Sequence, residues 1–360
     1  MLDTDQFIKG LISHGYSHLC AVPCSFAKNL INASINSSNQ LEYLPCASEA
    51  VACSTAVGLK LSGKKPIVIV QSSGLTNMGS CITSLLKPYE IFFPIIVSWR
   101  TYSEGDSEIQ HQHLANQLPN LIQAYGYESI TLNKNQADKA ILQIDKCDDR
   151  NLMCLLEADT FSPVSLSPDN QLDLSKFPKR SEYLQVLDSV FKDSDELFIG
   201  TTGNTAREMY HFMPQTSNFY MAGNMGGALS VGFGAAKAGK SVIVCGGDAE
   251  FVMHLGGLTT SSRYENINLT YLIFDNKSNK STGGQNSYQE HVDYLNLARS
   301  CGVNSTFEIN SISEFKTSIK RIKELDEISM VHINCSYDPI SPRPDKEVIQ
   351  ASKKIFLSKI

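Results

Sequence analysis

Two apolar runs stop on polar residues of the kinds that bind hard cations. In "SVIVCGGDAEFV" the run ends at Gly246, Gly247 and Asp248, and in "LTYLIFDNKSNKSTGGQ" it ends at Asp275 and Asn276. Both runs have strand composition, and helical spacing follows Asp248. A helix from Glu250 to Arg263 is expected to complete one right-handed β-α-β crossover, which sets the two strands side by side or close by. Both strand ends then fall on the carboxyl edge of a parallel sheet, where open α/β sheets bind ligands. A carboxylate, a side-chain amide and a loop carbonyl form an all-oxygen donor set, which suits Mg2+ carrying water and ligand phosphates. The helix opening at Glu250 aims its first N–H groups at the same place, which favours a phosphate. Gly247 lets the backbone approach closely. The plainer alternative is that Asp248 caps a helix.

Glu49, in "LPCASEAVACSTAVGL", is a second carboxylate placed for chemistry. Ser48 reads as an N-cap and Glu49 as the opening of an Ala-rich helix directly after a strand. Beside Ala50, Val51 and Ala52 its proton affinity is open to tuning. A glutamate in a first helical turn is also favoured by the helix dipole alone.

The elements that must hold these residues alternate along the chain. Strands are expected at 18–23, 41–45, 66–73, 92–99 and 151–158, with helices at 4–14, 48–62, 77–87 and 113–125. After Ala158 a stretch with three prolines and many small polar residues reads as a linker. The alternation resumes with a helix at 181–193 and strands at 196–202, 219–223, 241–247, 269–276 and 329–335. Continuous apolar strands alternating with helices indicate parallel sheets covered on both faces. The fold class is therefore α/β: two tandem parallel-sheet domains, 1–165 and 181–360, joined by a linker at 166–180.

Composition narrows the classes. The chain has 360 residues, 42% hydrophobic and 19% charged, with net charge −6, and no basic run suits nucleic acid. No run reaches membrane-spanning length. The opening "MLDTDQFIKGLISHG" is acidic and then amphipathic, unlike a secretory signal. Ten cysteines without a C-x-x-C pair suit a reducing cytoplasm better than a disulfide framework.

Gly247-Asp248-Ala249 followed by Asp275-Asn276 resembles the diphosphate and metal motif of thiamine-diphosphate enzymes, with Ala249 for its last Gly and Asp275 for its first Asn. The blocks "VPCSF", "QSSGLTN", "SWR…EIQH", "GNTAREMY", "GNMGGALSVGFG" and "DNKSNKSTGGQ" are similar to those of phosphonopyruvate decarboxylases and the related sulfopyruvate decarboxylases. The resemblance covers nearly the whole chain. It implies a pyrimidine-binding domain, then a diphosphate-binding domain, and no middle domain. Thiamine diphosphate and Mg2+ are the implied cofactors, with Asp248, Asn276 and the Ser278 carbonyl as metal ligands. Gly247, Ala249 and Glu250 would line the diphosphate site, and Asn224 would also bind the cofactor. Glu49 would activate the aminopyrimidine, Met225 would prop the cofactor in its bent form, and the Gly223 carbonyl would accept from its amine. Ser73, Gly74 and Asn77 would form part of the pocket wall, though a helix-capping turn explains them nearly as well.

The implied substrate is a small anionic 2-oxo acid whose phosphonate or sulfonate tail needs fixed donors. Arg100 and His111 are the foremost candidates, with Ile109 where the family has Pro, and His111 also suits proton transfer. Ser25, Lys280, Ser281, Thr282 and Arg343 are further candidates. An exposed ion pair is the plainer reading of Arg100, and a structural pairing role is expected for Arg207. The resemblance further implies self-association, with active sites at the subunit interface. A carboligase or a non-enzymatic binding module would be the alternatives from other classes.

Overall fold

Residues 67 to 70 show how the sheets are built. Ile67 and Ile69 join one buried cluster, while Val68 and Val70 join another on the opposite face. A strand apolar on both sides must be covered on both sides, and only a parallel sheet with flanking helices does this routinely. A computed structural model of the chain describes residues 1–37, 40–102, 108–339 and 341–358. It divides into two units, Met1–Gln171 with Thr282–Asn286, and Leu172–Ser281 with Ser287 onward.

The first unit holds strands β1 (Tyr16–Ala21), β2 (Glu42–Pro45), β3 (Lys65–Gln71), β4 (Ile95–Ser98), β5 (Glu128–Thr131) and β6 (Leu152–Leu156). They pair in the order β2-β1-β3-β4-β6-β5, all parallel. The second unit holds β7 (Leu197–Gly200), β8 (Ser217–Tyr220), β9 (Val242–Gly247), β10 (Leu269–Asp275), β11 (Ser305–Ile309) and β12 (Ile328–Asn334). Their order is β11-β12-β10-β9-β7-β8, again all parallel. In β10, Leu272 and Phe274 face one cluster and Tyr271 and Ile273 the other.

Strands β5 and β11 escape the sequence reading because both are edge strands with few buried residues. They lack the continuous apolar run of an interior strand. Three expected helices are broken. The stretch 77–87 is a series of short turns, including a π turn at Ile82–Leu86. The stretch 113–125 is helical only at Leu118–Ala124, and a separate short helix, Ile109–Gln112, lies just before it. The crossover from Asp248 holds two short helices, Asp248–Met253 and Gly256–Ser261, separated at His254.

The proline-rich stretch after β6 starts as a fastened strap. Asn29, Asn32 and Asn36 lie on one face of the helix Lys28–Asn36 and donate to the carbonyls of Phe161, Val164 and Ser165 at 3.2, 2.9 and 2.9 Å. Asn29 and Asn36 also accept from the Val164 and Ser167 amides. All ten cysteines are free thiols. Among the described residues no helix is long and apolar enough to cross a membrane.

Candidate active site

In the first unit the candidate residues follow the carboxyl ends of four neighbouring strands. Glu49 comes after β2, Ser25 after β1, Ser73, Gly74 and Asn77 after β3, and Arg100 after β4. Ser48 caps the helix Glu49–Leu61, its side chain accepting from Val51 N. Glu49 is nevertheless buried, which a dipole-favoured surface glutamate need not be. Its carboxyl is held by the helix that follows β3, while the neighbouring Val51 is exposed. Asn77 Nδ2 donates to Glu49 Oε2 at 2.9 Å. The other side of the carboxyl packs on Gly74, where a Cβ would lie 2.8 Å from Glu49 Cδ. Ser73, Gly74 and Asn77 thus belong to the helix Ser72–Asn77 that closes around Glu49.

Ser25, Arg100 and His111 converge, and the exposed-ion-pair reading of Arg100 fails. Arg100 is only 6% exposed and His111 only 3%. Arg100 Nη1 donates to Ser25 Oγ at 3.1 Å, and its guanidinium lies 4.6 Å over the Phe26 ring. Its Nη2 pairs with Glu108 Oε2 at 3.2 Å, and His111 Nε2 lies 3.4 Å from the same oxygen. His111 Nδ1 is buried with no partner among the described residues. Residues 103–107 of the "SWRTYSEGDSEIQH" block lie outside the described residues. Sequence reasoning missed Glu108, although its position three residues before His111 at a helix start was a usable signal.

In the second unit β9 and β10 are neighbours, with Gly247 opposite Phe274, so Asp248 and Asp275 leave the sheet at one level. The helix opens at Asp248, not Glu250, and its N-cap is Gly247. Asp248 therefore does not cap the helix; it lies in the first turn and is buried. Ser287 Oγ donates to Asp248 Oδ2 at 2.6 Å. Nothing in the sequence marks Ser287, which a long loop returns to this point. Beyond β10, Asp275 Oδ1 accepts from Lys277 N and Asn276 Oδ1 from Ser278 N, each at 3.0 Å. Successive turns of this kind hold Asn276 and Ser278 against the strand end. His332 Nε2 lies 3.0 Å from Asp275 Oδ2.

Burial, and then the nearby Asp275 charge, push Asp248 up to about 6. A divalent cation would relieve both effects. The Ser278 hydroxyl is buried without a partner among the described residues. No group of three His, Cys, Asp or Glu converges among those residues, but the expected donor set contains only one carboxylate. These residues fit a hard cation at the strand ends. Ala249 and Glu250 lie in the first turn, where their backbone N–H groups belong to the helix start. The Glu250 carboxylate points elsewhere: it accepts from Tyr271 OH, and burial pushes it up to about 7.

Gly223, Asn224 and Met225 follow β8; Asn224 has φ 59° and Met225 is half-buried. The next residue, Gly226, has φ 88°, and a Cβ there would lie 2.8 Å from His254 Cγ. Ser281 lies near Gly203 in the second unit, whereas Thr282 groups with the first. Lys280 Nζ lies 4.8 Å from the Tyr337 ring centroid. The buried ion pair of the helix Asn204–Phe212 is made by Glu208, which accepts from Arg180 at 2.8 and 2.9 Å.

Residues 3–120 match the family described as thiamine pyrophosphate enzyme, N-terminal TPP binding domain, and residues 199–333 match the C-terminal TPP binding domain. The chain belongs to the thiamine pyrophosphate enzymes. Relatives that it matches are named as decarboxylases. It is 29% identical to the phosphonopyruvate decarboxylase of Streptomyces hygroscopicus, over 95% of this chain and 88% of the relative. It is 26% identical to the sulfopyruvate decarboxylase of Methanosarcina acetivorans, over 94% of each. It is 35% identical to the sulfopyruvate decarboxylase subunit beta of Methanothermobacter thermautotrophicus, over 35% of this chain and 68% of the relative.

Proposed function

We propose that the protein decarboxylates 3-phosphonopyruvate to phosphonoacetaldehyde and CO2, with thiamine diphosphate and Mg2+, in the making of phosphonates. The observation that carries the substrate reading is the buried Arg100 fixed between Ser25 and Glu108 with His111 alongside. A desolvated guanidinium with such neighbours suits a tetrahedral oxyanion.

Thiamine diphosphate, when bound, supplies the electron sink that a 2-oxo acid lacks. Asp248, Asn276 and the Ser278 carbonyl would hold Mg2+, and the N–H groups of Ala249 and Glu250 would face the phosphates beside Gly247. Glu49 would hold the proton exchanged with the aminopyrimidine, kept in place by Gly74 and Asn77, with Ser73 in the same helix. Met225 would support the bent cofactor, with Asn224 and the Gly223 carbonyl alongside. Arg100, Ser25 and His111 would bind the tail, with Ser281 and Thr282 as further donors, and His111 would also serve in proton transfer.

Sulfopyruvate is the alternative substrate. A fused chain alone does not favour phosphonopyruvate, because the Methanosarcina acetivorans relative matches along 94% of its own length. Relatives named as alpha and as beta subunits of sulfopyruvate decarboxylase both match parts of this chain. This supports a homo-oligomer in which Glu49 of one protomer serves the cofactor held by its partner. A cytoplasmic location goes with the free thiols. The test supplies thiamine diphosphate and Mg2+ and compares CO2 release from phosphonopyruvate, sulfopyruvate and pyruvate. Phosphonopyruvate is expected to react fastest. Faster release from sulfopyruvate moves the assignment to the alternative, and no release from any overturns it.

A further inference from the structure

We propose that Glu108 is a positioning residue of the anion pocket, which turns His111 so that Nδ1 faces the substrate and anchors Arg100 beside Ser25. Three groups gather on one Glu108 oxygen, Oε2. Gln110 Nε2 donates to it at 2.7 Å, Arg100 Nη2 lies at 3.2 Å and His111 Nε2 at 3.4 Å. Glu108 and His111 are three residues apart at the start of the helix Ile109–Gln112, the spacing that stacks side chains on one helix face.

A carboxylate facing Nε2 favours the proton on that nitrogen. In a neutral imidazole the other nitrogen then carries the lone pair. That nitrogen is Nδ1, which is buried and has no partner among the described residues. An unpaired buried polar atom is costly, and a ligand that pairs with it recovers the cost. Nδ1 is therefore the ring atom left to give or take a proton at the substrate. Glu108 takes Nη2 of Arg100 while Ser25 takes Nη1, and the guanidinium lies over the Phe26 ring. Such a fork cannot swing away without breaking its pairing with Glu108.

The test has a spectroscopic half and a kinetic half, and only the kinetic half rests on the proposed function. The full chain, loaded with thiamine diphosphate and Mg2+, is labelled with nitrogen-15 at histidine, and His111 is assigned by its loss in His111→Asn. In mildly alkaline buffer the wild-type ring should show Nε2–H and an unprotonated Nδ1. Glu108→Gln should abolish that bias and raise KM for phosphonopyruvate about tenfold or more. Stabilisation of the fold by thiamine diphosphate with Mg2+ should be unchanged, and Glu108→Asp should restore part of the KM. A wild-type ring protonated on Nδ1 overturns the proposal, as does Glu108→Gln with spectrum and KM unaltered. Should the wild type release no CO2, the proposed function fails, and the ring tautomer still decides the role of Glu108.

Discussion

Glu49 fills the space that any side chain at residue 74 would need: a Cβ there would lie 2.7 Å from Glu49 Cγ and 2.8 Å from Cδ. Asn77 holds the other edge of the carboxylate, so Glu49 is gripped by two residues of one helical turn. Gly74→Ala should favour the helix by about 0.5–1 kcal/mol yet displace the carboxyl. Turnover is expected to fall about a hundredfold with a melting temperature near that of the wild type. A variant with unimpaired rates would show that Glu49 does not need this placement.

Glu49→Gln keeps the shape and an oxygen for Asn77 but removes the carboxyl group that can give and take a proton. CO2 release should become undetectable, while equilibrium binding of thiamine diphosphate with Mg2+ stays within a few-fold of wild type. Near-normal decarboxylation would rule out the relay through Glu49.

Asp248→Ala removes the one carboxylate of the expected metal set. Thermal stabilisation by thiamine diphosphate with Mg2+ should be lost, as mass action requires when affinity collapses. If that stabilisation survives the substitution, the metal ligands lie elsewhere.

The Arg180–Glu208 pair is buried and bidentate, at 3% and 1% exposure. Glu208→Ala would leave a buried guanidinium unpaired and should cost about 3–5 kcal/mol in chemical denaturation. The double replacement Arg180→Met with Glu208→Leu should recover most of that loss. Similar stability in the single and double variants would mean the pair is not coupled.

The interior strands were legible because their apolar runs point both ways, as in residues 67–70. Edge strands β5 and β11 were not, since half-exposed positions dilute that signal. Asp248, Asn276 and Glu49 could be singled out because each closes a strand or opens a helix, where residue type and position agree. The partners that fix them were hidden. Ser287 reaches Asp248 by a loop whose path no local pattern encodes, and Gly74 matters through the space it leaves. Glu108 was hidden because its pairing with Arg100 exists only once the chain is folded, and the sequence shows only its spacing to His111.

The asparagine ladder from the helix Lys28–Asn36 to residues 161–167 bears on dividing the polypeptide. A break just past Leu156 would strip three amide side chains of their backbone partners and bare the Phe7–Phe161 contact. A separately expressed first half should therefore stay folded only when the break falls beyond Ser167.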